Sequence, residues 1–279
     1  MNSILVAEDD RPTRMLLSQR LKAARFAVTT AKDGAEALAQ LEKKRFDLLL
    51  LDIWMPKVNG LEVLARLKDS PSRPRVVVMT ADNTPETLLR AVREQAYHYI
   101  TKPVEPKALV EMLRDMATQT PVTLPIEVLS ARPEWLELLV PCTREAAARI
   151  ESFMGHLDAD LAADVRESVG YAFRELLLNA IEWGGQLDPN RKVRIAYVRA
   201  QKVLIYRIAD PGPGFKLADL DHAAISHDED PIAHMRVRAE KGLRPGGFGL
   251  LMVRAKVDEL VYNERQNEVI FMKYLREEP

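Results

Sequence analysis

The sequence predicts two units in series: an α/β doubly wound parallel five-stranded domain, then an α+β sandwich. Three observations carry this. Short apolar runs at Ile4–Ala7, Phe46–Leu51, Val76–Met79 and Tyr97–Ile100 alternate with helical stretches. The run Phe46-Asp47-Leu48-Leu49-Leu50-Leu51 is apolar at nearly every position, as a strand covered on both faces reads in a parallel sheet. Past residue 133 the pattern changes to long helices and to strands with a single apolar face.

Taken in order, Ile4 to Ala7 is the first strand, and Met15, Leu17, Leu21 and Ala24 come next at near-helical spacing. A second strand is expected near Ala27 to Thr30, and the buried run ending at Leu51 is the third. Val76–Met79 and Tyr97–Ile100 complete the five, with Leu109, Leu113 and Met116 marking the last helix. Helical pattern fades near Ala117, and Pro121, Pro125 and Pro133 punctuate a stretch that reads as a linker over residues 119–132. The first domain is therefore expected at 1–118 and the second at 133–279. In the second, Trp135, Glu137 and Leu139 begin an alternating stretch, and helices are expected at Arg144–His156 and Leu161–Trp183. Val193, Ile195 and Tyr197, then Val203–Ile208 and Val269–Tyr274, read as strands.

Composition narrows the function. The 279 residues carry 40 Lys+Arg against 41 Asp+Glu, a net charge of −1, with 47% hydrophobic residues. That balance excludes a disordered polyelectrolyte and a basic nucleic-acid tail. Cys142 is the sole cysteine, so no internal disulfide or multi-cysteine metal site forms. No apolar run approaches the roughly 18 residues of a membrane span. Acidic residues directly after Ile4-Leu5-Val6 do not suit a signal peptide, and a cytoplasmic protein is expected.

In a parallel sheet, ligands gather at the carboxyl ends of the strands. Glu8, Asp9 and Asp10 come after the first strand, Asp52 ends the third, Thr80 the fourth, and Lys102-Pro103 comes after the fifth. Any one acidic residue there is most simply a solvated loop residue; four hits at successive strand ends call for another reading. Clustered carboxylates favour a hard cation such as Mg²⁺, which with Lys102 could neutralise a phosphoryl group arriving on Asp52. The segments ILVAEDD, LLLLDIWMP, VVVMTA and YITKP resemble, in order and spacing, the response-regulator receiver domain. The resemblance implies that Glu8 and Asp9 form the acidic pair, Asp52 is phosphorylated, Thr80 senses the phosphoryl group and Lys102 contacts it. It further implies metal ligation by Asp9, Asp52 and the backbone carbonyl of Trp54, with Tyr99 as the switch aromatic and Asp10 a bystander.

The second half lacks both common phosphate loops, G-x-x-x-x-G-K-[ST] and G-x-G-x-x-G. Glu175 and Asn179 instead stand four apart on one helix face. Ala209-Asp210-Pro211-Gly212-Pro213-Gly214-Phe215 is a strand end with a glycine turn, and Pro245-Gly246-Gly247-Phe248-Gly249-Leu250 precedes a helical stretch. Glycines before a helix leave N–H groups able to face a phosphate. Asn179 offers an oxygen to Mg²⁺, and Asp210 an acceptor for an exocyclic amine such as that of adenine. Each piece alone is weak; the ordered set resembles the GHKL ATP-binding superfamily, and within it the anti-sigma-factor serine kinases. That resemblance implies Mg²⁺ and ATP as cofactors, Glu175 as general base, Asn179 as Mg²⁺ ligand and Asp210 as adenine reader. Gly212, Gly214, Gly246, Gly247 and Gly249 would line the nucleotide.

Trp183 stands where these kinases usually have histidine, and an indole neither takes a proton nor ligates metal. Between Phe215 and Gly246 lies the counterpart of the family's ATP lid, where Arg236, Arg238, Lys241 and Arg244 are candidates for γ-phosphate contact. Solvated charge is the simpler reading for most of them. His227, Asp228, Glu229, Asp230 and His234 read as an acidic lid in preference to a metal cluster, and His156 lacks the two-helix hairpin of a phosphoacceptor.

Together the resemblances imply a two-component response regulator whose phosphorylation at Asp52 controls an ATP-dependent protein serine/threonine kinase in a partner-switching pathway. Its implied partners are a histidine kinase as phosphodonor and an anti-sigma-factor antagonist, a sigma factor, or both. A homodimer is compatible with this; nucleic acid and membrane are not expected partners. The alternative, motivated by Trp183, is a non-catalytic nucleotide-binding module that sequesters a sigma factor or antagonist.

Overall fold

The structure, a computed structural model, describes residues 2–68, 70–82, 84–118, 125–132, 134–215 and 248–275. The chain divides into two compact units, residues 1–123 and 124–279.

The first unit alternates strand and helix throughout: β1 (Ser3–Ala7), α1 (Arg11–Ala23), β2 (Ala27–Ala31), α2 (Gly34–Lys43), β3 (Leu48–Asp52), α3 (Gly60–Leu67), β4 (Arg75–Thr80), α4 (Pro85–Arg93), β5 (His98–Thr101) and α5 (Pro106–Thr118). The strands pair in parallel in the order β2-β1-β3-β4-β5, so every connection is a crossover helix. Ile4, Val6, Leu48, Leu50, Val77 and Met79 face Leu17, Leu21, Leu109 and Leu113 in one core. Leu5, Leu49, Leu51 and Val78 are equally buried, which accounts for the unbroken apolar run of β3. Each such side chain contributes roughly 1.5–3 kcal/mol. Helix starts are written locally: Asp10, Asp33 and Asn59 accept from Thr13, Glu36 and Glu62 N–H groups at 2.9, 2.8 and 2.9 Å. Asp10, a bystander by its sequence position, is therefore the cap of α1.

Among its described residues, the second unit is a six-stranded antiparallel sheet, β10-β11-β9-β8-β7-β6, with three α-helices. Its elements are β6 (Glu127–Arg132), β7 (Trp135–Pro141), α6 (Arg144–Leu157), α7 (Ala163–Asn179), a π-helical turn (Ala180–Gly184), β8 (Lys192–Ala200), β9 (Val203–Ala209), α8 (Gly249–Lys256), β10 (Glu259–Tyr262) and β11 (Glu268–Tyr274). Leu136, Leu138, Val193, Ile195, Tyr197, Leu204, Tyr206 and Phe271 turn inward, and the helices present Ile150, Phe153, Phe173 and Leu177 to the core.

Two expectations need correction. Residues 127–132, assigned to a linker, are an edge strand that pairs antiparallel with β7, with a register shift between Val128 and Ser130. The helix expected to run to Trp183 is α-helical only to Asn179 and then widens into the π-helical turn. Among the described residues no helix is long and apolar enough to cross a membrane.

One carboxyl sits inside the second core. Asp158, buried at the end of α6, accepts from the Tyr197 hydroxyl at 3.0 Å and the Tyr206 hydroxyl at 2.5 Å. Tyr206 stacks on Phe271, with ring centroids 4.8 Å apart. Burial raises the Asp158 carboxyl above its usual range, outweighing the pull of the two hydroxyls. The neutral acid therefore folds more favourably. Its contribution is complete below about pH 3.9, the unfolded value, and is lost as pH rises through the raised folded value. Asp158→Asn should accordingly flatten the fall in stability that wild type shows as pH rises above about 3.9. Urea unfolding across that range is the measurement; wild-type stability that climbs relative to the variant would refute the assignment.

Candidate functional site

The parallel order sets the first site. β1, β3, β4 and β5 are successive neighbours, so Glu8, Asp52, Thr80 and Lys102 emerge along one edge of the sheet. Lys102 Nζ lies 2.9 Å from Asp52 Oδ2, 2.9 Å from Glu8 Oε2 and 3.0 Å from Glu8 Oε1. Glu8 and Asp52 are buried, while Asp9 is exposed. Burial pushes the Glu8 carboxyl up beyond what Lys102 restores. Burial alone would lower Lys102, but hydrogen bonds to Asp52 and Glu8 prevail and its ammonium is held more firmly than usual. The Lys102–Pro103 peptide is cis, and Lys102 N–H donates to Thr80 O at 2.8 Å.

These residues fit a hard cation. One oxygen each from Glu8, Asp9 and Asp52 lie within 4.8 Å of one another, and Glu8 Oε2 is buried without a directed hydrogen bond. Glu8, Asp9 and Asp52 would hold Mg²⁺. Trp54, whose carbonyl was a further candidate, has its N–H 3.4 Å from Asp52 Oδ1 and its indole 57% exposed. A Cβ on Gly60 would overlap the Asp52 carbonyl, so only glycine lets α3 start this close to β3.

Thr80 and Tyr99 meet at Asp82. Asp82 N–H donates to Thr80 Oγ1 at 3.0 Å, and the Tyr99 hydroxyl donates to Asp82 O at 2.6 Å. The Asp82 carboxylate accepts from Thr84 N–H at 2.9 Å and from the Thr87 hydroxyl at 2.7 Å, at the start of α4. A hydroxyl that accepts from Asp82 keeps its own proton free to donate. Asp82 was not foreseen; nothing in the motif spacing singles it out.

The second site gathers around Asp210 at the end of β9. Asp210 Oδ1 accepts from Gly212 N–H at 2.7 Å, and Gly212 O accepts from Asn267 Nδ2 at 3.1 Å. Burial pushes the Asp210 carboxyl up, against the Gly212 N–H and the nearby Arg191 charge. Gly214 has φ +85°, a left-handed conformation, and a Cβ there would run into Arg265 O. A Cβ on Gly249 would overlap Glu175 Oε2, so the first residue of α8 sits directly on that carboxylate. Asn179 closes α7 four residues after Glu175, its amide without a hydrogen bond among the described residues. Trp183 is 63% exposed. Gly246, Gly247, Arg236, Arg238, Lys241, Arg244, His227, Asp228, Glu229, Asp230 and His234 lie outside the described residues. Gly184 and Arg191, both at the site, carry no motif signal of their own.

The likeness to known proteins divides along the two units. The family model of the response regulator receiver domain matches residues 4–114, and that of the histidine kinase-like ATPase domain matches residues 139–273. The DNA-binding transcriptional regulator NtrC of Azospirillum brasilense is 31% identical over 183 residues, 64% of this chain and 37% of that protein. The transcriptional regulatory protein CpxR of Escherichia coli (strain K12) is 37% identical over 114 residues, 41% of this chain and 48% of that protein. The chain thus spans less than half the length of either relative. Among solved structures, the chemotaxis response regulator CheY4 of Vibrio cholerae is similar at 29% identity, with a TM-score of 0.40 over 42% of this chain and 98% of that one.

The site geometry separates two neighbouring acids. Calorimetric Mg²⁺ titration should show Asp9→Asn weakening affinity about tenfold, as loss of one charged ligand implies. Asp10→Asn, which keeps the cap of α1, should leave it within about twofold of wild type. Equal loss in both variants would remove Asp9 from the ligand set.

Proposed function

The chain joins a response regulator receiver domain to a histidine kinase-like ATPase domain, and on that premise we propose that phosphorylation of Asp52 controls an ATP-dependent protein serine/threonine kinase. The observation that supports it most is one chain holding both the Asp52–Lys102–Glu8 cluster and the Glu175–Asn179–Asp210 set. A histidine kinase is the phosphodonor. An anti-sigma-factor antagonist is the substrate protein, a sigma factor a further partner, and the setting is a cytoplasmic partner-switching pathway.

At the first site, an Asp52 carboxylate oxygen attacks the phosphorus of a phosphohistidine, the P–N bond breaks and an acyl phosphate forms. Mg²⁺, when bound, screens the carboxylates from the incoming phosphoryl oxygens. Lys102 moves its ion pairing from Asp52 towards the new oxyanion, and the Thr80 hydroxyl donates to it. At the second site, Asp210 would accept from the adenine amine and Asn179 would hold Mg²⁺. The Glu175 carboxylate, with no hydrogen bond among the described residues, takes the proton of the serine hydroxyl as its oxygen bonds to the γ-phosphorus and the bond from that phosphorus to the β-phosphate oxygen breaks, releasing ADP.

Trp183 favours a second reading, in which the domain binds nucleotide and holds its partner without phosphorylating it. Two assays decide. Acetyl phosphate with Mg²⁺ should label wild type and leave Asp52→Asn unlabelled; comparable labelling of both would sink the Asp52 assignment. In the second assay, wild type with labelled ATP should phosphorylate a small antagonist protein on serine. Glu175→Gln should slow transfer by roughly 10²–10⁴-fold while ATP affinity holds. ATP binding with tight antagonist capture and no transfer would select the sequestering module. If a beryllofluoride mimic on Asp52 changes neither transfer nor capture, the regulatory link falls.

A further inference from the structure

Residues 180–183 read from sequence as the end of a regular helix. In the structure, Gly185 N–H donates to Ala180 O at 2.8 Å across five residues, and Leu187 N–H to Ile181 O at 3.0 Å. The widened turn is held from two sides. Arg144 reaches Glu182 Oε1 through Nε at 3.0 Å, and Arg191 Nη1 donates to Gly184 O at 3.2 Å. An extra residue in a turn rotates the downstream chain by about 100° relative to a regular helix, so this turn decides which residue meets β9.

The residue it delivers is Gly184. A Cβ on Gly184 would overlap both Cγ and Oδ1 of Asp210. From the other side, a Cβ on Gly212 would lie 2.9 Å from Gly184 O and 2.8 Å from Asp210 Oδ1. The Asp210 carboxyl is therefore slotted between two glycine backbones. Oδ1 is occupied by the Gly212 N–H, whereas Oδ2 has no hydrogen bond among the described residues. A short side chain gripped this way has little freedom to track a displaced ligand, and a methyl group in the slot would push the carboxyl out of line.

We propose that Gly184, delivered by the π-helical turn and secured by Arg191, is the positioning residue that sets base selectivity, by fixing Asp210 so that Oδ2 accepts from an exocyclic purine amine. This rests on the nucleotide-binding reading above and adds to it the residues that control discrimination. A merely structural role for Gly184 would weaken every nucleotide alike. A positioning role weakens only those that carry the amine.

Calorimetry on the full chain with Mg²⁺ compares ATP with purine riboside triphosphate, which keeps ring, ribose and phosphates and lacks the amine. Wild type should prefer ATP by roughly tenfold or more, the usual worth of a charge-assisted hydrogen bond. Gly184→Ala should lose about that factor for ATP and change less than about twofold for the analogue, so the preference collapses. Arg191→Gln, which leaves the glycine and removes the donor to its carbonyl, should shift the preference in the same direction and serves if Gly184→Ala does not fold by circular dichroism. Gly170→Ala, with open space at its Cβ, should match wild type. An unchanged preference in the folded variants, or an equal loss for both nucleotides, overturns the inference while leaving the nucleotide site standing. A wild type that does not distinguish the two nucleotides overturns the Asp210 reading itself.

Discussion

One ammonium group holds the first unit's site together. Glu8 and Asp52 are both buried, and two buried carboxylates this close repel. Lys102, within 3.0 Å of each, supplies the compensating charge. It can do so only because β5 lies at the end of the row β1-β3-β4-β5, so a residue just past β5 reaches back across β4 to β3 and β1. That reach in turn requires the parallel order, hence crossover helices, hence strands apolar on both faces. The chemistry at the edge and the leucines of β3 are thus consequences of one arrangement. The remaining charge deficit is what a hard cation would fill.

In the second unit a half-buried carboxylate is held chiefly by backbone, with one nearby cation. Asp210 has one oxygen taken by a peptide N–H and its flanks filled by Gly184 and Gly212. Arg191 acts through its hydrogen bond to Gly184 O and its field at Asp210. The Arg191 carbonyl also accepts from Cys142 N–H at 2.9 Å, tying the end of β7 to the same point. Cys142 itself is buried against Gly185, and burial pushes its thiol up to about 11, so it fills space and has no reactive thiolate.

Much of this was legible in the residues. The continuous apolar run at Leu48–Leu51 could hardly be anything but a strand covered on both faces, and the strand-end rule then located Glu8, Asp52, Thr80 and Lys102. β6 was hidden because its register shifts between Val128 and Ser130, which breaks the alternation that marks a one-faced strand. The π-helical turn was hidden because its extra residue is held by Arg144 and Arg191, distant in sequence, and not by any local preference. Asp158 looks like a solvated residue after a helix, and Tyr197 and Tyr206 like plain core; only their packing shows that the three polar groups satisfy one another. Gly184 gives no signal in the sequence because a glycine at a helix end usually marks nothing more than termination.

The bulge in β6 has a bearing on how copies of this sheet meet other chains. An open edge strand offers a row of peptide donors and acceptors that a foreign strand can extend, the first step of runaway stacking. Here one rim is β10, only four residues from Glu259 to Tyr262. The other is β6, kinked in its middle and ended by the charged Glu127 and Arg132, with Glu127 paired to Lys192. Neither rim presents a long flat template. Among the described residues the sheet has six strands, and its rims are poor templates for the edge-to-edge growth that leads to fibrils.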